Sequence, residues 1–331
     1  MTEIPGLSPG EDLRSIGTTE AGMHTIPSVG PADPHSAPDS SGLAEESRGQ
    51  LATVAWRFIH SPMAITGLAI FAVLAISSVL VGAFWHYNYT AITNTLNAPP
   101  SWSHPMGTNA IGGDLFAQVM HGTLQDIEIA LTVAVVATSL GTLIGATAGF
   151  YRGKTDTLLM RFVDLILVIP VLAILIVLAN KVSKESSDWF YLALIIGLVS
   201  WTYVARLVRA DFLSLRERDF VEASRALGAT NRRIIVRHML PNAFGPIIVN
   251  ATITVALSIV LESTLSFLGL GIQPPNVSLG LLVDQGQDSA TTEWWLFVFP
   301  VIFLVILILS IFFVGDGLRE ALDPRKSRVR A

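Results

Sequence analysis

Six apolar stretches, each long enough to cross a lipid bilayer, constrain this chain more than any other feature. They run over 63–84, 127–148, 158–179, 189–208, 244–265 and 294–314. A hydrocarbon layer of about 30 Å takes roughly 20 helical residues at about 1.5 Å each. The expectation is therefore an all-α integral membrane protein with six transmembrane helices. Composition agrees, because 14% of residues are charged against about 25% in soluble domains. Cysteine is absent, so disulfides, thiolate metal sites and cysteine nucleophiles are excluded.

The charges between the stretches predict an orientation. If the first span leaves the cytoplasm, all of the 21 lysines and arginines except Lys181 and Lys184 fall on the inner side. Basic residues in short loops mark the cytoplasmic face, so both termini are placed inside, N-in/C-in. Trp85, Trp189, Trp294 and Trp295 stand at predicted outer boundaries, where amphipathic rings prefer to lie. Residues 1–50 are rich in Pro, Ser, Gly and acidic side chains and contain no apolar core, which reads as a disordered acidic cytoplasmic tail without a signal peptide. Leu51, Val54, Ala55, Phe58 and Ile59 recur at helical spacing, predicting a membrane-surface helix over 51–62 that Pro62 breaks. An outer loop is expected over 85–126, a transmembrane core over 127–320 and a cytoplasmic tail over 321–331.

The longest inner connection, 209–243, carries the most specific pattern. Asp219 to Leu227 are good helix formers, Gly228 supplies a stop, and a second helical stretch is expected to end at Pro241. Arginines crowd this loop, and charge alone is equally consistent with anchoring to anionic lipid. The spacing is more telling: Glu222-Ala223-Ser224, three residues, Gly228, eleven residues, Leu240-Pro241. It resembles the EAA signature of ABC importer permeases, with Ser224 in place of the third Ala and His238 where an Ile is usual. That resemblance implies a coupling helix which enters a groove on an ATP-hydrolysing subunit. Ala223 and Ser224 would be its small face, Glu222 and Arg225 its polar contacts, and Gly228 its tight turn.

Three further stretches resemble landmarks of the C-type subunit of dipeptide, oligopeptide and nickel permeases. They are HPMGTNAIGGDLFAQVMHG at 104–122, LSFLGLGIQPP at 265–275 and GDGLREALDPR at 315–325. The chain departs from that pattern at Asn109, Gly113, Leu279 and Phe312, where Asp, Arg, Trp and Asn are usual. The resemblance implies the type I ABC importer transmembrane domain. It also implies a second permease subunit, ABC ATPase subunits holding ATP and Mg, and an extracytoplasmic substrate-binding protein. Dipeptides, oligopeptides, nickel complexes and glutathione-like molecules are all cargo that it allows.

Ionisable residues in apolar spans are costly and each needs a reason. Asp164 is expected to pair with Arg161 or Arg206 as a structural ion pair. Glu128 and Glu262 fall near the outer ends of their spans and, with Asp284 and Asp288, are candidates for a pathway mouth or gate. Gly141, Gly145 and Gly149, spaced by four, predict close helix packing, and Pro170 a bend. No phosphate-binding glycine-rich loop is present, so the chain is not expected to hydrolyse ATP or to be an enzyme, and no cofactor, metal or nucleic-acid partner is expected. An ion-coupled secondary transporter would place ionisable or broken-helix sites near the midplane, whereas the charges here cluster at the span ends.

Overall fold

The computed structural model describes residues 50–182 and 189–322; the expected acidic tail over 1–49 and the tail beyond 322 lie outside them. The described residues fold almost wholly into helices, with isolated β-bridges in the loop between the second and third. A short helix α1 (Gln50–Ile59) is followed by α2 (Pro62–Phe84), which begins where Pro62 occupies a first-turn position that lacks an intrahelical N–H partner anyway.

Helix α3 (Leu115–Tyr151) corrects the expectation of an outer loop extending to 126. It spans 37 residues, about 55 Å at the usual rise. The buried carboxylate of Asp114 starts it by accepting the N–H of Ala117 at 2.8 Å. His104 bonds to the other carboxylate oxygen, fastening the preceding loop to the same cap. Hydropathy missed this first third because Gln118, His121, Gln125 and Asp126 make it polar, yet most of its residues are buried in protein.

The third apolar stretch is broken rather than straight. Helices α4 (Gly153–Val168) and α5 (Val171–Val182) meet at a 78° bend. Ile169 takes an extended conformation ahead of Pro170, which disfavours the helical one for its predecessor and itself lacks the N–H that a continuous helix needs. Among the described residues five helices are long and apolar enough to cross a membrane, and the bent pair makes a sixth if it is one span.

Helix α6 (Trp189–Arg216) outruns the predicted span, and α7 (Asp219–Ala226) follows it. Helix α8 (Asn231–Phe267) then runs without interruption through Pro241, which was expected to end it. A π-helical turn at Ile234–Met239 lies just before the proline. That wider turn relieves the clash of the ring with the preceding turn, and Asn242 Nδ2 donates to the His238 carbonyl at 2.6 Å. Helices α9 (Leu279–Gln287) and α10 (Trp295–Leu322) complete the described chain.

The closest packing joins α3 to α6. A Cβ on Gly141 would stand 2.5 Å from Val204 Cβ, one on Gly145 would strike the Ala205 carbonyl, and one on Gly149 would lie 2.7 Å from Phe212 Cβ. The spacing by four places all three on one face of α3, so the backbones meet directly. Along α2, α4 and α10 many large apolar side chains remain exposed, among them Val73, Leu158, Phe162, Val168 and Leu309. Such faces suit lipid or another apolar helix as solvent.

Candidate functional site

Helix α7 forms a short outpost at one end of the bundle. Val221 is its single anchor, fully buried among Phe150, Val208, Phe212, Ile234 and Met239. Leu240 packs partly against the same cluster from α8. On the opposite side Glu222, Ala223, Arg225 and Ala226 are exposed, and Leu227 at the tip is 88% exposed. Ser224 turns its hydroxyl inward to the Phe220 carbonyl at 2.7 Å. Pro241 is exposed on the first turns of α8.

Gly228 closes α7 with φ +76. Its N–H donates to the Arg225 carbonyl at 2.9 Å, and the Ala229 N–H donates to the Ser224 carbonyl at 3.1 Å. These two bonds are the Schellman pattern, which needs a left-handed residue after the last helical turn. Thr230 then caps α8. The arginines hold this end together: Arg152 pairs with Glu217 at 2.6 Å, and the Arg225 guanidinium lies 5.7 Å from the Phe150 ring centroid. The result is a small, rigidly turned knob with an apolar tip and one charge of each sign beside it.

Asp164 meets Arg206, as one of the two expected pairings has it, while Arg161 is exposed. A second link between α4 and α6 was missed by sequence reasoning. Asp156 receives Nε and Nη2 of Arg209 at 2.5 and 2.7 Å and is the more buried pair. Its two members lie 53 residues apart, and only the fold brings them together.

The four carboxylates expected at a mouth are not gathered there. Glu128 is exposed on α3, Asp284 bonds to Gln287 on α9, and Asp288 is exposed. Glu262 is fully buried, which corrects its placement at a mouth. Asp126 of α3, also buried, lies at the same joint: its Oδ2 accepts from the Leu279 N–H at 3.4 Å, and the next residue, Gly280, presses on Ser263 beside Glu262. Asp126 carries no local signal in the sequence, because hydropathy does not distinguish the polar start of α3 from loop. A cavity of about 250 Å³ opens nearby, but neutral side chains line it, including Asn109, Gln118, Leu282, Gln285 and Ser289. His104 and His121 have separate surroundings, the first against Asp114 and Tyr87, the second stacked on Tyr89 at 3.6 Å.

Comparison with known proteins matches residues 141–328 to the family described as binding-protein-dependent transport system inner membrane component. Residues 49–100 match the N-terminal TM domain of oligopeptide transport permease C. The oligopeptide transport system permease protein OppC of Mycobacterium tuberculosis (strain H37Rv) is 40% identical over 275 residues, covering 83% of this chain and 94% of that protein. A Brucella suis protein named as a peptide permease is 39% identical over 282 residues, covering 84% of this chain and 92% of its own length. Among solved structures, an inward-facing MetNI methionine ABC transporter aligns with 63% of this chain and 98% of its own at 22% identity and a TM-score of 0.49. The family assignment rests on the sequence matches. The match over 141–328, more than half of the chain, and the 40% identity over 83% of it, together with the apolar helices, show that the chain belongs to the binding-protein-dependent transport system inner membrane components and is a multi-pass inner-membrane permease of the ABC importer class.

Proposed function

We propose that this chain forms half of the translocation pathway of an ATP-driven peptide importer and receives the motion of the ATPase through α7. The observation that carries this reading is the exposed face from Glu222 to Leu227, held by one buried valine and turned by Gly228 at the positions of the EAA pattern. A knob of this kind fits a groove: its small residues allow close approach, and Glu222 and Arg225 fix its register. Peptide as cargo is supported by the names of the relatives that match over most of their length.

The pathway is completed by a second, similar permease subunit packed on the exposed apolar helices. One or two ABC ATPase subunits bind at the α7 end, and an extracytoplasmic substrate-binding protein delivers peptide at the other. ATP and Mg are held by the ATPase partners, and this chain itself does no hydrolysis. In the membrane the bent pair α4–α5 counts as one span, giving six with both termini inside. Basic residues gathered at the α7 end support this N-in/C-in placement, as does their scarcity in the loop over 85–114. Helix α1 lies at the inner surface, with Trp56 and Ile59 exposed toward lipid.

Reconstitution tests this. Vesicles carrying the chain, its second permease, the ATPase and the binding protein are expected to take up labelled peptide when ATP is supplied on the α7 side. Omitting the ATPase is expected to abolish uptake. Uptake that persists without it and follows an imposed ion gradient would contradict the proposal.

A further inference from the structure

The joint between α3, α8 and α9 is built around two carboxyl groups that no described cation accompanies. Helix α9 enters it backbone first. A Cβ on Gly280 would lie 2.6 Å from Ser263 Cα, and one on Gly122 would lie 3.1 Å from the Leu279 nitrogen, so the N-terminus of α9 presses directly on α8 and α3. Its Leu279 N–H points at Asp126 Oδ2, 3.4 Å away, and the Ser278 hydroxyl caps α9 by accepting from the Leu281 N–H at 3.2 Å. Ser266 donates to Glu262 Oε1 at 2.6 Å and Ser263 to Oε2 at 3.4 Å. Ile272 N–H donates in turn to Ser266 Oγ at 3.0 Å, which aims that hydroxyl's proton at the glutamate.

Donors therefore converge on both oxygens of Glu262 and on one oxygen of Asp126. The remaining atom, Asp126 Oδ1, is buried without an ordinary hydrogen-bond partner, and the residue is 1% exposed. The other buried carboxyl at this joint is that of Glu262. Two carboxylates buried at one joint repel each other. Two donating hydroxyls and one helix N-terminus are a suitable setting for a single negative charge. Glu262 is the sole ionisable residue of α8 between Leu240 and Phe267. On α3 the nearest others are His121, stacked on Tyr89, and Glu128, exposed on another face. Helix α9 adds Asp284, bonded to Gln287. The ionisable groups of α10, Asp316, Arg319 and Glu320, and the charged ones of α6, from Arg206 onward, stand at the α7 end of the bundle. Among the described side chains, α2 and α5 bring none.

We propose that Asp126 and Glu262 form a proton-binding site, in which one proton on Asp126 Oδ1 is donated to Glu262 and locks the N-terminus of α9 against α3 and α8. Loss of that proton places a second negative charge in the joint and loosens α9, the element that neighbours the cavity opposite the α7 end. The pair thus makes the cohesion of that end sensitive to pH, whatever the cargo.

The purified, assembled complex tests this without reliance on transport. Infrared spectra of the native complex near neutral pH are expected to show a protonated carboxyl band that Asp126→Asn removes. Raising the pH is expected to lower the native thermal midpoint, and both Asp126→Asn and Glu262→Gln, each keeping one charge and one donor, are expected to match native stability at neutral pH and lose at most half as much on the alkaline side. Equal alkaline losses in all three, or a band that survives Asp126→Asn, overturns the proposal. So does a variant that fails to assemble, since an amide stand-in must suffice. Stabilisation of the native complex by sodium, but not of Asp126→Asn, would assign the site to an alkali ion and overturn the proton. Peptide uptake measured on the same preparations separates this result from the importer reading, because either can fail alone.

Discussion

Gly228→Pro is expected to abolish ATP-driven uptake while leaving the body of apolar helices intact. Three independent costs meet at this position. Proline cannot adopt the φ of +76 found here, it removes the N–H that bonds Arg225, and it disfavours the near-helical conformation of Leu227 before it. Together they cost at least about 3 kcal/mol, and each ~1.4 kcal/mol is a factor of ten in an equilibrium. Fewer than about one chain in a hundred keeps the native turn on that arithmetic. The knob would then point elsewhere, but its single buried anchor, Val221, lies seven residues back and the spanning helices do not depend on the turn. Gly228→Ala separates conformation from contact. A Cβ there meets nothing within 4 Å, so alanine carries only the left-handed penalty of about 1–2 kcal/mol. Uptake is expected to fall in the order Gly, Ala, Pro with complex yield unchanged. Equal uptake for all three, measured in vesicles with matched complex content, would remove α7 from the coupling step.

Gly145→Leu is expected to have the largest effect on stability. Here the obstacles are backbone atoms, the Ala205 carbonyl and the Arg209 nitrogen at 3.0 Å, together with Val208 Cβ at 2.9 Å. Backbone cannot turn aside as a side chain does, so α3 and α6 must move apart along their whole interface. Overpacking a tight site costs about 1–3 kcal/mol or more, and a degree of freedom for relief is missing because Gly141 and Gly149 hold the same face. The thermal midpoint of the assembled complex is expected to drop by several degrees, the shift per kcal/mol being about 2–4 °C for 150–250 residues and smaller for larger chains, or the chain fails to accumulate. Gly82→Leu is the control, since nothing lies within 4 Å of a Cβ there. Equal midpoints for the two variants would contradict the α3–α6 packing.

These positions also show what a sequence of this kind reveals. The glycine triplet was legible because a spacing of four has one meaning on a helix, and the broken third span was legible from Pro170. The shape of the α7 segment was legible because Glu222, Gly228 and Leu240 lie within one short stretch, where spacing alone places a helix and a left-handed turn. Helix ends were not. Hydropathy marks where lipid stops, whereas α3 continues for twelve residues before its apolar part begins, with Asp114 as cap and protein as surroundings. The misplacement of Glu262 has the same root. Counting its rise along α8 puts it near one end, but what lies there is set by Gly280 and Gly122, whose missing side chains let α9 seal the joint. Asp126 and Glu262 are separated by more than a hundred residues, as are no residues of α7 and its turn, and pairings at that distance belong to the fold rather than to any local pattern.

The coupling claim is tested most directly by a cross-link. The chain has no cysteine, so Leu227→Cys introduces a single thiol at the knob, 88% exposed, and Trp102→Cys introduces one in the loop at the opposite end, where the native side chain is fully exposed. With a short bifunctional reagent on the active complex, Leu227→Cys is expected to join this chain to the ATPase subunit, with a yield that changes when ATP is added, and Trp102→Cys is expected to leave the ATPase unlabelled. A complex that transports peptide with no cross-link from Leu227→Cys, or with one from Trp102→Cys instead, would contradict the account.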